Sequence, residues 1–127
     1  LMRCAEGPDP YQLRLGDLGG LDLVHLGMGA DGHTAGLFPG CDALDADPGR
    51  LVSMTEDPTG AAAYRRMTLT PGGIARSGTV VVTVQGADRA DALAAIAAGV
   101  DLPASRIQAA RVVWLVDPAA AAGLPTA

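Results

Sequence analysis

The stretch Leu21-Asp22-Leu23-Val24-His25-Leu26-Gly27-Met28-Gly29-Ala30-Asp31-Gly32-His33-Thr34-Ala35-Gly36-Leu37-Phe38-Pro39-Gly40 decides the fold of this chain. Residues 21–26 are apolar apart from Asp22 and His25 and read as a buried strand. The chain then turns glycine-rich, with Gly27, Gly29 and Gly32 set around Asp31 and His33. Residues 34–38 have the length for one or two helical turns, stopped by Pro39-Gly40. A strand that leads through such a loop into a helix belongs to an α/β unit. Units of that kind take their ligands at the carboxyl ends of strands. Glycine lets the backbone approach a ligand closely, and the N–H groups that open a following helix favour anions.

On the upstream side, Pro8-Asp9-Pro10 starts a turn or a helix. Residues 11–15 are too short to specify a helix by themselves, and Gly19-Gly20 breaks the chain before the strand. Downstream, residues 41–50 read as loop, 51–54 as a short strand and 56–63 as a mobile loop. Residues 66–70 alternate like a strand. Pro71 opens a short helix over 72–75, ended by Ser77-Gly78. Residues 79–84 are β-branched throughout and apolar on both faces, as a central parallel strand should be. Asp88 is placed to cap an alanine-rich helix over 89–98, closed by Gly99, with Leu93 and Ile96 as its buried stripe. Residues 112–116 make the last strand, after which Asp117 caps a further helix with Pro118 at its first position. The alternation predicts an α/β fold: a mostly parallel sheet with flanking helices, in a partial doubly wound, Rossmann-like domain.

The 127 residues fit one domain, spanning 1–127, with enough chain to bury a core. Aromatic residues are only 3 %, so that core must be built from Ala, Val, Leu and Ile. A net charge of −5 argues against nucleic acid or an anionic membrane as partner. All nine basic residues are arginine, which removes Schiff-base lysine chemistry from this chain. Cys4 and Cys41 lack metal-ligand spacing and read as free thiols. No stretch approaches the ~20 apolar residues of a membrane span, and no signal peptide is evident. The expected setting is the cytoplasm.

Residues 27–39, Gly-Met-Gly-Ala-Asp-Gly-His-Thr-Ala-Gly-Leu-Phe-Pro, resemble the signature loop of the 6-phosphogluconolactonases. The related glucosamine-6-phosphate deaminases share the Gly-x-Gly-x-Asp-Gly-His core but continue differently after the histidine. The Thr-Ala-Gly-Leu-Phe-Pro continuation favours the lactonase side. Residues 66–70, Arg-Met-Thr-Leu-Thr, and Leu102-Pro103-Ala104 resemble two further segments of the family. Gly36 stands where the family usually has serine, and Arg89 where it has lysine. The resemblance covers the family's C-terminal half only. A glycine-rich phosphate loop and an Asp-Glu-Arg segment, both in the family's N-terminal half, do not occur. The chain is thus expected to be a fragment, a truncated reading frame or a divergent half-protein.

The resemblance implies hydrolysis of 6-phospho-D-glucono-1,5-lactone to 6-phosphogluconate in the oxidative pentose phosphate pathway. Water must attack the ring carbonyl, and a nearby group must take its proton near neutral pH, which suits imidazole. His33 is the base that the resemblance names; without it, a surface histidine on a glycine loop is the plain reading. Asp31 either orients that imidazole or holds the loop through backbone hydrogen bonds. Gly27, Gly29 and Gly32 offer N–H groups to the substrate oxygen. Thr34 is a hydroxyl candidate. Arg66 coincides with the family's arginine and suits a phosphate or hydroxyl. Arg89 is either a second anion contact or a solvated residue in the first turn of its helix. His25, inside the apolar strand, reads as a packing histidine. Two separated histidines with no carboxylate cluster make no metal site, no serine lies in a nucleophile elbow, and no metal or cofactor is expected. The partner is then a small sugar-phosphate lactone, with no nucleic acid and no membrane. Two rivals stand beside this: a deaminase acting on an amino-sugar phosphate, and an inert half-domain that needs a partner. A sheet edge left by a missing half would favour self-association.

Overall fold

The computed structural model describes residues 3–61 and 64–126. Among the described residues five strands form, β1 (Leu23–Gly27), β2 (Val52–Thr55), β3 (Arg66–Leu69), β4 (Thr79–Val84) and β5 (Arg111–Val116). Three α-helices accompany them, α1 (Asp9–Leu18), α2 (Pro71–Ala75) and α3 (Ala90–Ala97). The β-branched run at 79–84 becomes the middle of a parallel sheet ordered β1-β4-β5. β2 and β3 pair separately as an antiparallel ribbon. The molecule is therefore α/β with a parallel sheet and flanking helices.

One face of the parallel sheet makes the core. Val80, Val82 and Val84 are at most 1 % exposed, and burying each contributes about 1.5–3 kcal/mol. They meet Val24 and Leu26 of β1, Ile74 of α2, Ala92 and Leu93 of α3, and Phe38 from the loop after β1. The alanines of α3 let it lie close, as its composition implies; Ile96 packs at the margin of the cluster.

The other face differs from expectation. Register aligns Leu23, Thr79 and Arg111 in one row, His25, Val81 and Val113 in the next, and Gly27, Thr83 and Leu115 in a third. Leu23 is 61 % exposed and Leu115 55 %. No helix covers this face among the described residues. His25, read as a packing histidine, is exposed there and its Nε2 lies 3.1 Å from Thr83 Oγ1. A doubly wound sheet has helices on both faces; here they lie on one.

Several local expectations are corrected by tertiary partners. Residues 34–38 are not helical. Thr34 and Leu37 bond each other's backbone across a tight turn, and Ala35 sits at φ +50°. The turn wins because the Thr34 hydroxyl donates to the Gly27 carbonyl (2.8 Å) and the Gly36 N–H to Thr68 Oγ1 (2.9 Å). The segment around 11–15 extends into α1. Leu15 packs on Leu51 and Val52, and Gln12 Oε1 accepts the N–H groups of both. Asp42–Asp45 adds a 3-10 turn within the expected 41–50 loop. Asp88 does not cap α3; its carboxylate pairs with Arg89, and a 3-10 turn precedes the helix. Asp117 accepts from the Ala120 N–H at 2.8 Å, but it is not the N-cap: the element that follows is a 3-10 turn, Ala120–Gly123, with Ala119 in that position. Residues 56–61 form neither strand nor helix, and 62–63, the end of that expected loop, lie outside the described residues.

Candidate active site

The loop after β1 is built around a hydrogen-bonded pair. Asp31 Oδ1 accepts from the His33 backbone N–H at 3.0 Å and lies 2.6 Å from His33 Nδ1. Asp31 thus does both things that its position allowed: it holds the turn and orients the imidazole. With Nδ1–H donated to the carboxylate, Nε2 is the ring's acceptor, and it has no partner among the described residues. That is the arrangement a general base requires.

Partial burial raises the Asp31 carboxyl, but the His33 backbone N–H, the ring hydrogen bond and the ring's charge together outweigh this and hold it below the ordinary carboxylate value. A depressed pKa means that the contact stabilises the loop above the unfolded value, about 3.9, and loses this as pH falls through the folded one. The Asp31 carboxyl 13C resonance is expected to titrate below 3.8, the ordinary value; a midpoint above it contradicts the pairing. The Asp31 side chain is half exposed, so the effect is local.

Two glycines make room for the pair. A Cβ on Gly29 would fall 2.2 Å from both Cε1 and Nδ1 of His33. Gly32, at φ +82°, lies under Leu102, whose Cδ1 would be 2.8 Å from an added Cβ. Their N–H groups are not free for a substrate. Gly29 donates to the His33 carbonyl (2.9 Å) and Gly32 to the Gly29 carbonyl (3.0 Å). Between them, the exposed Ala30 N–H takes no partner among the described residues. Gly27 contributes its carbonyl to Thr34, whose side chain is buried and committed to that bond. Gly29, Gly32 and Thr34 therefore shape the loop.

The aromatic ring of Phe38 joins the pair to a cation. Its centroid lies 5.1 Å from that of His33, and Arg66 Cζ sits 5.6 Å from the same ring, within cation–π range. Arg66 has no carboxylate partner among the described residues, whereas its neighbour Arg65 pairs with Glu56 at 3.6 Å. Arg89 approaches from the carboxyl end of β4. Its Nε donates to the Met28 carbonyl (2.7 Å), and its Nη1 to the Gln85 carbonyl and the Asp88 carboxylate. Its Nη2 takes no partner among the described residues. A depression of about 400 Å³ opens here, lined by Gly27, Met28, Thr83, Gln85 and Arg89. Larger hollows, of about 580 Å³ beside Cys41 and Thr55 and about 620 Å³ beside Ile96 and Arg106, do not have Arg89 in their walls, and His33 lines none of the three. No group of three His, Cys, Asp or Glu side chains is placed to hold a metal ion among the described residues.

The sequence profile of the glucosamine-6-phosphate isomerases/6-phosphogluconolactonase family matches residues 5–114. The chain belongs to this family. It is 38 % identical over 109 residues to the 6-phosphogluconolactonase of Mycobacterium tuberculosis, an alignment covering 83 % of this chain and 43 % of that one. The solved 6-phosphogluconolactonase of Trypanosoma cruzi superposes with a TM-score of 0.78 at 27 % identity, covering 98 % of this chain and 55 % of that one. That of Thermotoga maritima gives 0.76 at 28 % identity, covering 91 % and 52 %. The chain spans about half the length of the relatives it matches. Among the described residues no helix is long and apolar enough to cross a membrane.

The two departures from the family pattern now have places. A Cβ at Gly36 would be 2.9 Å from Thr55 Cγ2 and from Thr68 Cβ, so these threonines fill the space a serine side chain needs. Arg89 keeps its positive charge at the end of β4 but spends part of its fork on Met28, Gln85 and Asp88. Sequence reasoning missed Phe38 as a site residue and the Met28 carbonyl as the anchor of Arg89. Phe38 was readable as an apolar residue at a conspicuous place; the Met28 anchor had no sequence signal, since any residue supplies a carbonyl.

Proposed function

We propose that this chain carries the water-activating part of a 6-phosphogluconolactonase site, and that the whole protein hydrolyses 6-phospho-D-glucono-1,5-lactone to 6-phosphogluconate in the oxidative pentose phosphate pathway. The observation that carries the reading is the Asp31–His33 pair, on a strand-end loop with Nε2 open. The names of the matched relatives support the same reaction.

Water attacks the lactone carbonyl while His33 Nε2 takes its proton. The Asp31 carboxylate stabilises the imidazolium that results. The tetrahedral intermediate carries an oxyanion, for which the Ala30 N–H is an open donor of the loop. Collapse breaks the bond to the ring oxygen, which leaves with the proton from His33. The products are an opened hydroxy acid, ionised at neutral pH, and a base ready for the next turnover. Arg66 and Arg89 supply positive charge for the phosphate, needed in a chain of net charge −5. The remaining phosphate contacts belong to the half of the family fold that this chain does not match, so the chain alone is expected to turn over slowly. Unpaired Cys4 and Cys41 fit a reducing cytoplasm, where we place the reaction.

Three substrates separate this reading from its rivals: the phosphorylated lactone, glucono-1,5-lactone without phosphate, and glucosamine 6-phosphate. Preferential loss of the phosphorylated lactone is expected. Ammonia from glucosamine 6-phosphate would replace the reaction, and equal use of both lactones would remove the arginines from the account.

The open sheet face and the unpaired edge of β1 give the isolated chain an adhesive surface. We infer that it pairs there with a second copy. Light scattering is expected to report a dimer or larger, and Leu23→Glu combined with Leu115→Glu to restore a monomer. A monomer at every concentration of the unaltered chain contradicts this.

A further inference from the structure

We propose that Arg106, remote from the reacting atoms, is a positioning residue for the His33 loop. It acts as a brace that links the segment seated on Gly32 to the segment that follows Phe38, the two neighbours of the His33 loop. The proposal deepens the lactonase reading and rests on it for its kinetic consequence alone.

The first segment is the turn Pro103–Arg106 with Leu102 before it. It seats directly on the loop: the Ala104 N–H donates to the Gly32 carbonyl at 2.9 Å, and Leu102 lies against Gly32, the residue before His33. Ser105 closes the turn on itself through Leu102, by an Oγ donation to the Leu102 carbonyl at 2.6 Å. The second segment is Asp42–Asp45. It follows from Phe38 by two consecutive backbone bonds, Cys41 N–H to the Phe38 carbonyl and Leu44 N–H to the Cys41 carbonyl. Phe38 in turn stacks on the His33 ring.

Arg106 fastens these segments together. Its Nε and Nη2 donate to the two oxygens of Asp101 at 2.9 and 2.8 Å, a bidentate fork. Its Nη1 donates to Asp45 Oδ1 at 3.1 Å and reaches the Leu44 carbonyl at 3.4 Å. Planar fork geometry of this kind fixes orientation as well as distance. Arg106 hydrogen bonding draws the Asp101 carboxyl below its ordinary value, so the pair stays ionised through neutral pH. Isolated surface ion pairs do little for global stability. The effect of this one is therefore expected in the geometry of the loop and not in the unfolding midpoint.

The test compares the full chain with Arg106→Gln and with Asp45→Asn, which takes the charge out of the link between segments and so weakens it, but leaves the Asp101 fork. Two readouts need no substrate: hydrogen exchange at the Ala104 amide, and the 15N resonances of the His33 ring, which report the Nδ1–H tautomer. Faster exchange at Ala104 and a mixed His33 tautomer are expected in both variants, larger in Arg106→Gln. With the lactone, kcat is expected to fall about tenfold in Arg106→Gln while KM holds, because misplacing a catalytic group costs rate more than binding. Wild-type exchange and ring signals in both variants would overturn the proposal. Should Arg106→Gln fail to fold, Asp45→Asn decides by the same readouts. Should the wild-type chain show no turnover, the lactonase reading falls while the exchange and ring signals still decide whether the brace exists.

Discussion

Gly29→Ala is expected to leave a folded chain whose lactonase rate falls about 10²–10⁴-fold, the range that a general base contributes. Gly29 does not occupy the left-handed region, so its backbone accepts a side chain without strain. What does not accept it is the imidazole. The added methyl would sit 2.2 Å from His33 Cε1 and Nδ1 and 2.9 Å from Asp31 Oδ1. No carbon approaches that closely, so the ring must swing away and its bond to Asp31 must break. One methyl group thus removes the base without removing the histidine. Two checks belong together: a urea midpoint that keeps stability within about 1 kcal/mol of wild type, the usual loss for a single substitution, and kinetics on the lactone. The sharper check is non-additivity. If Gly29→Ala works by displacing His33, adding His33→Gln costs nothing further. Additive losses would place the effect of Gly29 elsewhere.

His33→Gln is the second large effect. Glutamine keeps a polar side chain of similar reach but cannot take a proton from water at neutral pH. We expect a loss of about 10²–10⁴-fold in kcat with little change in KM, since Arg66 and Arg89, to which we assign the substrate's phosphate, keep their places. The variant should unfold at nearly the wild-type midpoint, because the side chain is a third exposed and its ring meets one aromatic neighbour, the tilted Phe38 ring at 5.1 Å. A variant that retains wild-type rate would make the Asp31–His33 pair a turn device and nothing more.

How far the sequence carried the fold depends on which forces act locally. The strands at 79–84 and 111–116 were legible because β-branched runs fit little else, and the parallel order follows from the helix between them. Residues 34–38 misled because a short apolar run reads equally well as helix or turn. What settled it were Gly27 and Thr68, seven and 32 positions from the residues they hold. Helix α1 was legible only at its start, where Pro8-Asp9-Pro10 read as a turn or a helix; its sequence carries Gly16 and exposed Leu13 and Leu18, and its fixed points, Leu51 and Val52, lie far along the chain. His25 was placed in a core because an apolar strand was assumed covered on both faces, and one face is open. At the site, His33 was singled out by the family resemblance, and the two uses of Asp31 by its place two residues earlier, from which an aspartate can reach both the N–H and the ring. The use made of Gly29 and Gly32 was not. The same glycines suit a loop that offers its amides and one that consumes them, and only the hydrogen bonds distinguish the two.

The measurement that bears most directly on the account is the rate of loss of freshly generated 6-phosphogluconolactone with the unaltered chain present, after subtracting spontaneous hydrolysis. The account predicts a rate above background that rises in proportion to chain concentration and is absent in His33→Gln. Loss at the spontaneous rate, whatever the amount of chain added, would contradict it.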